Sequence, residues 1–401
     1  MGATKAQNLP VGAVPEIKPD ERRAALTPEG VEKLRSQGSR VYIGAGLGVA
    51  SGYPDLEYKR AGATILHPDE VWRNSVLIVG VKEPWRDQVD RIRQGDLEGK
   101  IYFAYFHLAH PSASNLLSAL VEGRVTVVAY ETVSKEKSDG DNRLEFDLLK
   151  PMSSIAGTMA AEKIIQLSMA PEGGVGQLLG LVEGIKSRRG KVAIFGGGTV
   201  GIAAAVRLLG IGVDIDLFEV NPHRIRELEQ HPILSAKNPF GGTFRVIESK
   251  AEYIDPLLPS YDGFIGAVYK AGERAPKILS EEQIRQTKAG AVLVDVSSDQ
   301  GGNFEGSHPT THDDPTFYIN DRLYYCVTNM PGAVPHTSTP ALTEATLPYV
   351  LALAKEGLEA MKRDPALRRG LNVHGGKITN KGVADAHSYC YVPAEEALGM
   401  R

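Results

Sequence analysis

KVAIFGGGTVGIAAAVRLLGIGVDIDLFEVN, residues 191–221, decides the fold. An apolar run, KVAIF, ends at Gly196, the spacing Gly196-x-Gly198-x-x-Gly201 follows, and an Ala-rich helical stretch begins at once. A second apolar run, VDIDLFE, then closes on Glu219. Strand, glycine turn, helix and strand in this order predict a dinucleotide site. The first glycine makes the turn, the second lets a pyrophosphate approach the backbone, and the third lets helix and strand pack closely. Glu219 stands 18 residues past the third glycine. A carboxylate there accepts ribose hydroxyls and repels a 2′-phosphate, so NAD is expected rather than NADP, with Arg224 the nearby residue that would favour NADP.

The same alternation extends outward. TFRVIE, DGFIGAV and AVLVDV add three strands, so that residues 191–296 read as one doubly wound unit. Upstream, VYIGA (41–45), SVLIVGV (75–81), IYFAYF (101–106) and VTVVAY (125–130) alternate with the helical patterns PEGVEKLRSQG and PSASNLLSALVEG. That spacing predicts a second parallel sheet covered by helices on both faces. The polar run SKEKSDGDNR (134–143) reads as an exposed loop, and the first nine residues as a loose tail. PMSSIAGTMAAEKIIQLSM (151–169) reads as one long helix, and Thr339-Pro340 as the N-cap and first position of another, running to about Lys362. The expected fold class is therefore α/β, with two doubly wound, Rossmann-like domains joined by two long helices. The first is discontinuous, residues 1–148 and 337–401, and the dinucleotide-binding domain is 149–336.

At 401 residues the chain exceeds what one core supports, which agrees with two domains. Lys plus Arg is 45 and Asp plus Glu 49, a net charge of −4. That leaves no basic excess for nucleic acid or an anionic membrane, and a small-molecule partner is expected. Cys326 and Cys390 are far apart and lack metal-type spacing, so neither a disulfide framework nor a metal site is expected. No apolar run approaches membrane-spanning length and the start does not read as a signal peptide, which predicts a soluble, cytoplasmic protein.

Ligands of doubly wound sheets sit beyond the carboxyl ends of the strands. In the first domain Lys82 follows SVLIVGV and His107 follows IYFAYF directly. A lysine there offers a fixed charge for a carboxylate, and a histidine can exchange a proton near neutral pH. In the second domain Asp299 follows AVLVDVSS and heads the turn DQGG, whose glycines allow close backbone approach to a bound molecule. Anchor, proton shuttle and water-activating acid are the groups that hydride transfer with loss of ammonia requires.

The runs ERRAALTPEGV, VGVKEP, YFAYFHLA, LLKPMSSIAG, IFGGGTVG, GAVYKAGERAPKIL, VDVSSDQGGNFEG, PTTHDDPTF and VTNMPGAVPHTSTPALTEATLPYV together resemble the alanine dehydrogenase family, from about residue 11 to 383. The resemblance to the soluble part of proton-translocating transhydrogenases is more distant. The alanine dehydrogenase resemblance implies reversible, NAD-linked oxidative deamination of L-alanine to pyruvate and ammonium by a homo-oligomer, a hexamer in this family. It places the substrate-carboxylate groups on Arg23 and Lys82, the catalytic pair on His107 and Asp299, and Met152 and Asn329 along the substrate pocket. Cofactor contacts fall on Ser153, Gly196, Gly198, Val200, Gly201, Glu219, Ser249, Val268, Val296 and Met330; of these Val268, Val296 and Met330 would otherwise read as plain core. The sequence departs from the family at Ala104, His110-Pro111, Tyr269, Asn303 and His336, and in the polar run EGIKSRRG before the glycine strand. These departures leave open a related dehydrogenase acting on another small amino acid or 2-oxo acid. A transhydrogenase-like NAD-binding subunit is the other alternative, against which the joint presence of Lys82, His107 and Asp299 speaks.

Overall fold

The computed structural model describes residues 8–136, 144–185, 188–269 and 274–400. Most of the predicted loop at 134–143, and the first seven residues of the expected tail, lie outside these. The chain divides into two compact units, Met1–Met152 with Gly332–Arg401, and Ser153–Pro331.

The first unit is built on an eight-stranded sheet. Its spatial order is Lys377–Ile378, Leu371–His374, Thr126–Ala129, Ile101–Ala104, Leu77–Val79, Val11–Ala13, Val41–Gly44 and Thr64–Leu66. The last six run parallel, and the two C-terminal strands pair antiparallel at the other edge. Val11–Ala13 occupies a central position that the sequence pattern does not mark. Three residues between Pro10 and Pro15 carry too little periodicity to read as a strand, yet its flanking neighbours satisfy its amides and carbonyls on both sides.

The second unit has a seven-stranded sheet ordered Phe244–Glu248, Asp214–Glu219, Lys191–Phe195, Gly263–Gly266, Val292–Asp295, Arg322–Tyr325 and Thr316–Ile319. All neighbours are parallel except the final hairpin pair. The order reverses beside Lys191–Phe195, the strand that feeds the glycine turn. Ligands of such sheets bind at this reversal. Its apolar strands are buried on both faces, which explains their near-continuous hydrophobic runs.

One expected boundary is corrected. Thr339 does not cap a helix, because the helix spans Pro335–Glu356 and begins with Pro335 in its first turn. Proline lacks the N–H that a first turn leaves unsatisfied anyway, so Pro335 takes the initiating role expected of Pro340. The Thr339 hydroxyl instead accepts from Ala24 N at 3.0 Å and lies 2.8 Å from Ser51 Oγ. The helix stops at Gly357 (φ +56°) and a separate helix, Leu358–Arg363, follows.

Candidate functional site

In the first unit, Leu77–Val79 and Ile101–Ala104 are adjacent parallel strands, so the residues leaving their carboxyl ends emerge side by side. Lys82 and His107 do so, and the Tyr105 ring connects them. It stacks on the His107 imidazole with centroids 5.9 Å apart and the rings nearly parallel, and the Lys82 ammonium lies 5.9 Å from the Tyr105 ring centroid. His107 adopts φ +48°, a backbone conformation uncommon outside glycine. Burial, and then the charges of Lys82 and Lys18, hold its imidazole down at about 3, so it is neutral at physiological pH. Burial likewise lowers the Lys82 ammonium from its usual range.

Arg23 is buried in the same unit. Its guanidinium forks onto the Glu21 carboxylate, and it donates to the Met152 sulfur at 2.9 Å. Burial opposes the Glu21 charge, but Arg23 overrides it and brings the carboxyl to about 2. Glu16 does for Lys82 what a backbone carbonyl does inside a sheet: its oxygens accept from Val81 N at 2.6 Å and Lys82 N at 3.3 Å. Burial, with Glu21 adding, raises Glu16 to about 8. Arg23, Lys82, His107 and Met152 thus belong to one cluster, held by Glu16, Glu21 and Tyr105.

In the second unit the three glycines differ in what surrounds them. Gly196 has φ +104°, and a Cβ there would meet the Ala267 carbonyl oxygen at 2.7 Å. A Cβ on Gly201 would meet the Gly196 carbonyl oxygen at 2.0 Å, while one on Gly198 would meet nothing within 4 Å. The outer glycines are required by the fold, and the middle one leaves an open cradle at the start of helix Thr199–Leu209. A pyrophosphate fits that description. Glu219 Oε2 accepts from Gly197 N at 2.8 Å, and Oε1 from Val220 N and Asn221 N, both at 2.9 Å. The carboxylate is thereby fixed at the end of its strand beside the cradle. Ser249 N donates to the Glu219 carbonyl at 2.9 Å. Arg224 is engaged by the Gly197 carbonyl at 2.8 Å and by Glu227 at 2.5 Å.

Val200, Val296 and Met330 pack in one apolar cluster of this unit and Val268 in another; Ser153 is half-buried on helix Lys150–Leu167. Asn329 has φ +54°. Asp299 is exposed in the one-turn helix Ser298–Gln300. Its segment is wound about the buried Asp295, whose Oδ2 accepts from Asn303 N at 2.6 Å, Phe304 N at 3.1 Å and Ser307 Oγ at 2.6 Å. The glycine of DQGG nearest this core, Gly302, serves the fold: a Cβ there would meet Asp295 Oδ2 at 2.8 Å.

Two domain models, described as alanine dehydrogenase/PNT N-terminal domain and C-terminal domain, match residues 12–156 and 160–381. Alanine dehydrogenase of Bacillus subtilis strain 168 is 41% identical over 391 residues, 97% of each chain. The chain belongs to the alanine dehydrogenase/PNT family. Alanine dehydrogenase 2 of Staphylococcus aureus strain USA300 is 40% identical, over 98% of this chain and 100% of its own. Among solved structures, an L-alanine dehydrogenase superposes with a TM-score of 0.84 at 35% identity, covering 95% of this chain and 99% of that one. A transhydrogenase from Sinorhizobium meliloti, 19% identical with a TM-score of 0.73, shares the fold over 92% of this chain and 99% of its own. Family membership explains the joint pattern of motifs, and the acids Glu16, Glu131 and Asp295 are what motif reading passes over. Asp295 ends an apolar strand, whereas Glu131 and Glu16 lie two and three residues past theirs, so only Asp295 carries a signal in the local pattern. Among the described residues no helix is long and apolar enough to cross a membrane, and no group of three or more His, Cys, Asp or Glu is placed to hold a metal ion.

Proposed function

We propose that this protein catalyses the reversible, NAD-dependent oxidative deamination of L-alanine to pyruvate and ammonium. The observation that carries the reading is the cluster at the strand ends of the first unit, where a neutral imidazole stands with two cations in a chain 41% identical to a named alanine dehydrogenase. Arg23 and Lys82 hold the substrate carboxylate. Arg23, its guanidinium oriented by Glu21, acts as a planar donor, while Lys82 acts as a point charge. His107, uncharged, accepts the proton released from nitrogen or oxygen. Asp299 directs water onto the imine, and Met152 and Asn329 line the substrate pocket.

Gly196, Gly198 and Gly201 receive the pyrophosphate of NAD, Glu219 the ribose, and Ser153, Val200, Ser249, Val268, Val296 and Met330 complete its surroundings. Bound NAD supplies a hydride acceptor for the substrate Cα. Every proton movement falls to the side chains above. Family membership also supports a homohexamer acting in the cytoplasm on free metabolites. Steady-state rates with NAD and NADP against a panel of amino acids and 2-oxo acids test the reading. Alanine and pyruvate with NAD should give the highest kcat/KM, and a clear preference for another amino acid would replace the substrate while keeping the chemistry.

A further inference from the structure

The ladder between strands Ile101–Ala104 and Thr126–Ala129 ends with the pair Ala104–Ala129. Two residues further on, Phe106 and Glu131 come opposite one another. There the side chain of Glu131 takes over from the backbone as acceptor. Its Oε1 lies 2.6 Å from His107 N and 3.3 Å from Phe106 N, and its Oε2 3.2 Å from Phe106 N. Glu131 is 7% exposed, in the one-turn helix Tyr130–Thr132. We propose that Glu131 is the positioning residue of His107: its carboxylate clamps the two successive amides and holds the backbone in the left-handed conformation that aims the imidazole. The inference rests on the reading of His107 as the proton-transfer group.

Three observations bear on it. A left-handed histidine persists only where its surroundings over-determine it, and the His107 amide has this buried acceptor at short distance. The other face of the residue is held by the Tyr105 ring, itself fixed by a hydrogen bond from its hydroxyl to the Leu148 carbonyl at 2.6 Å. Burial pushes the Glu131 carboxyl up to about 7, and backbone amides including those of His107 and Phe106 pull it down, so clamp and charge depend on each other. Glu131 itself touches no reacting atom in this scheme.

The test uses the full chain with Glu131→Ala and Glu131→Gln. Glu131→Ala should lower kcat at least tenfold, with NADH affinity by fluorescence titration within twofold of native. Glu131→Gln, which keeps one acceptor oxygen, should lose less. In 13C-histidine-labelled protein the His107 ring signal, assigned by its loss in His107→Gln, should shift in Glu131→Ala. A purely structural role would lower Tm and leave kcat and the ring signal unchanged well below it. Folded Glu131→Ala with kcat within threefold of native and an unmoved ring signal overturns the proposal. Should that variant not fold, Glu131→Gln indistinguishable from native in both readouts overturns it equally. If the native protein turns over neither alanine nor pyruvate, the functional reading fails, and the ring signal still decides whether Glu131 positions His107.

Discussion

In the proposed mechanism Arg23 and Lys82 bring like charges to one carboxylate, but they are held differently and should fail differently. Arg23 is locked in a fork with Glu21, whereas Lys82 is placed through its own amide and the Glu16 carboxylate. Arg23→Lys loses the planar fork on both sides, so the KM for pyruvate should rise on the order of tenfold with kcat less affected. Lys82→Ala should lower kcat as well, and saturation kinetics on both variants separate the two cases. An unchanged pyruvate KM in Arg23→Lys places the anchor elsewhere. Asn303 makes a different kind of prediction. It is fully buried; its Oδ1 accepts from Val268 N at 2.9 Å, and its Nδ2 donates to the Val268 and Pro276 carbonyls at 3.0 and 3.1 Å. Asn303→Ala removes the acceptor of Val268 N and the donor to the Pro276 carbonyl, while the Val268 carbonyl keeps Ser297 Oγ at 3.0 Å; a polar group left unpaired away from water costs about 1–3 kcal/mol. Thermal denaturation should show a clearly lowered Tm, and a native-like Tm would mean that water or a shifted backbone replaces the amide.

At the scale of elements, the recurring device is a carboxylate at a strand end that accepts the amides of the next functional loop. Glu16 holds Val81 and Lys82, Glu131 holds Phe106 and His107, Glu219 holds Gly197, and Asp295 holds Asn303 and Phe304. A parallel strand leaves its ladder with unsatisfied amides, and a carboxylate can accept several from a loop that a regular partner strand cannot follow. Glu219 combines this duty with its proposed contact to the ribose. Glu219→Gln should therefore do two things in cofactor titrations. The preference for NAD over NADP should narrow about tenfold or more, because a charge facing the 2′-phosphate is gone. NAD affinity itself should also fall, since an amide NH2 turned towards Gly197 N cannot accept. A variant with unaltered NAD affinity would show that the glycine turn stands without Glu219.

For the whole molecule, the buried acids set how stability follows pH. Glu16, at about 8 in the folded chain, binds its proton more tightly than in the unfolded chain, where 4.5 is usual. Its contribution is present in full below about 4.5 and is lost as pH rises through 8. His107 acts in the opposite sense: lowered from 6.5 to about 3, it favours folding above 6.5 and loses that contribution as pH falls. Comparing each variant with the native protein isolates one group. From pH 5 to 8.5 the native Tm should fall relative to that of Glu16→Gln, and a gap that stays constant over this range would mean that Glu16 ionises as an ordinary carboxyl.

Local pattern was enough for the doubly wound units, the glycine turn with Glu219, and the positions of Lys82, His107 and Asp299. Continuous apolar strands, glycine spacing and the residue following a strand are all properties of neighbours along the chain. The central strand Val11–Ala13 was not legible, because so short a segment is a strand only through its partners on either side. Nor was the start of the helix Pro335–Glu356, where two Pro-containing turns compete in sequence and the hydroxyl of Thr339 is taken up by Ala24 N and Ser51 Oγ instead of capping. The neutral imidazole of His107 and the acids beneath it belong to the same class. Residues 16, 107 and 131 lie far apart in the chain, and what their groups do depends on burial and on hydrogen bonds that exist once the sheet has brought its strand ends together.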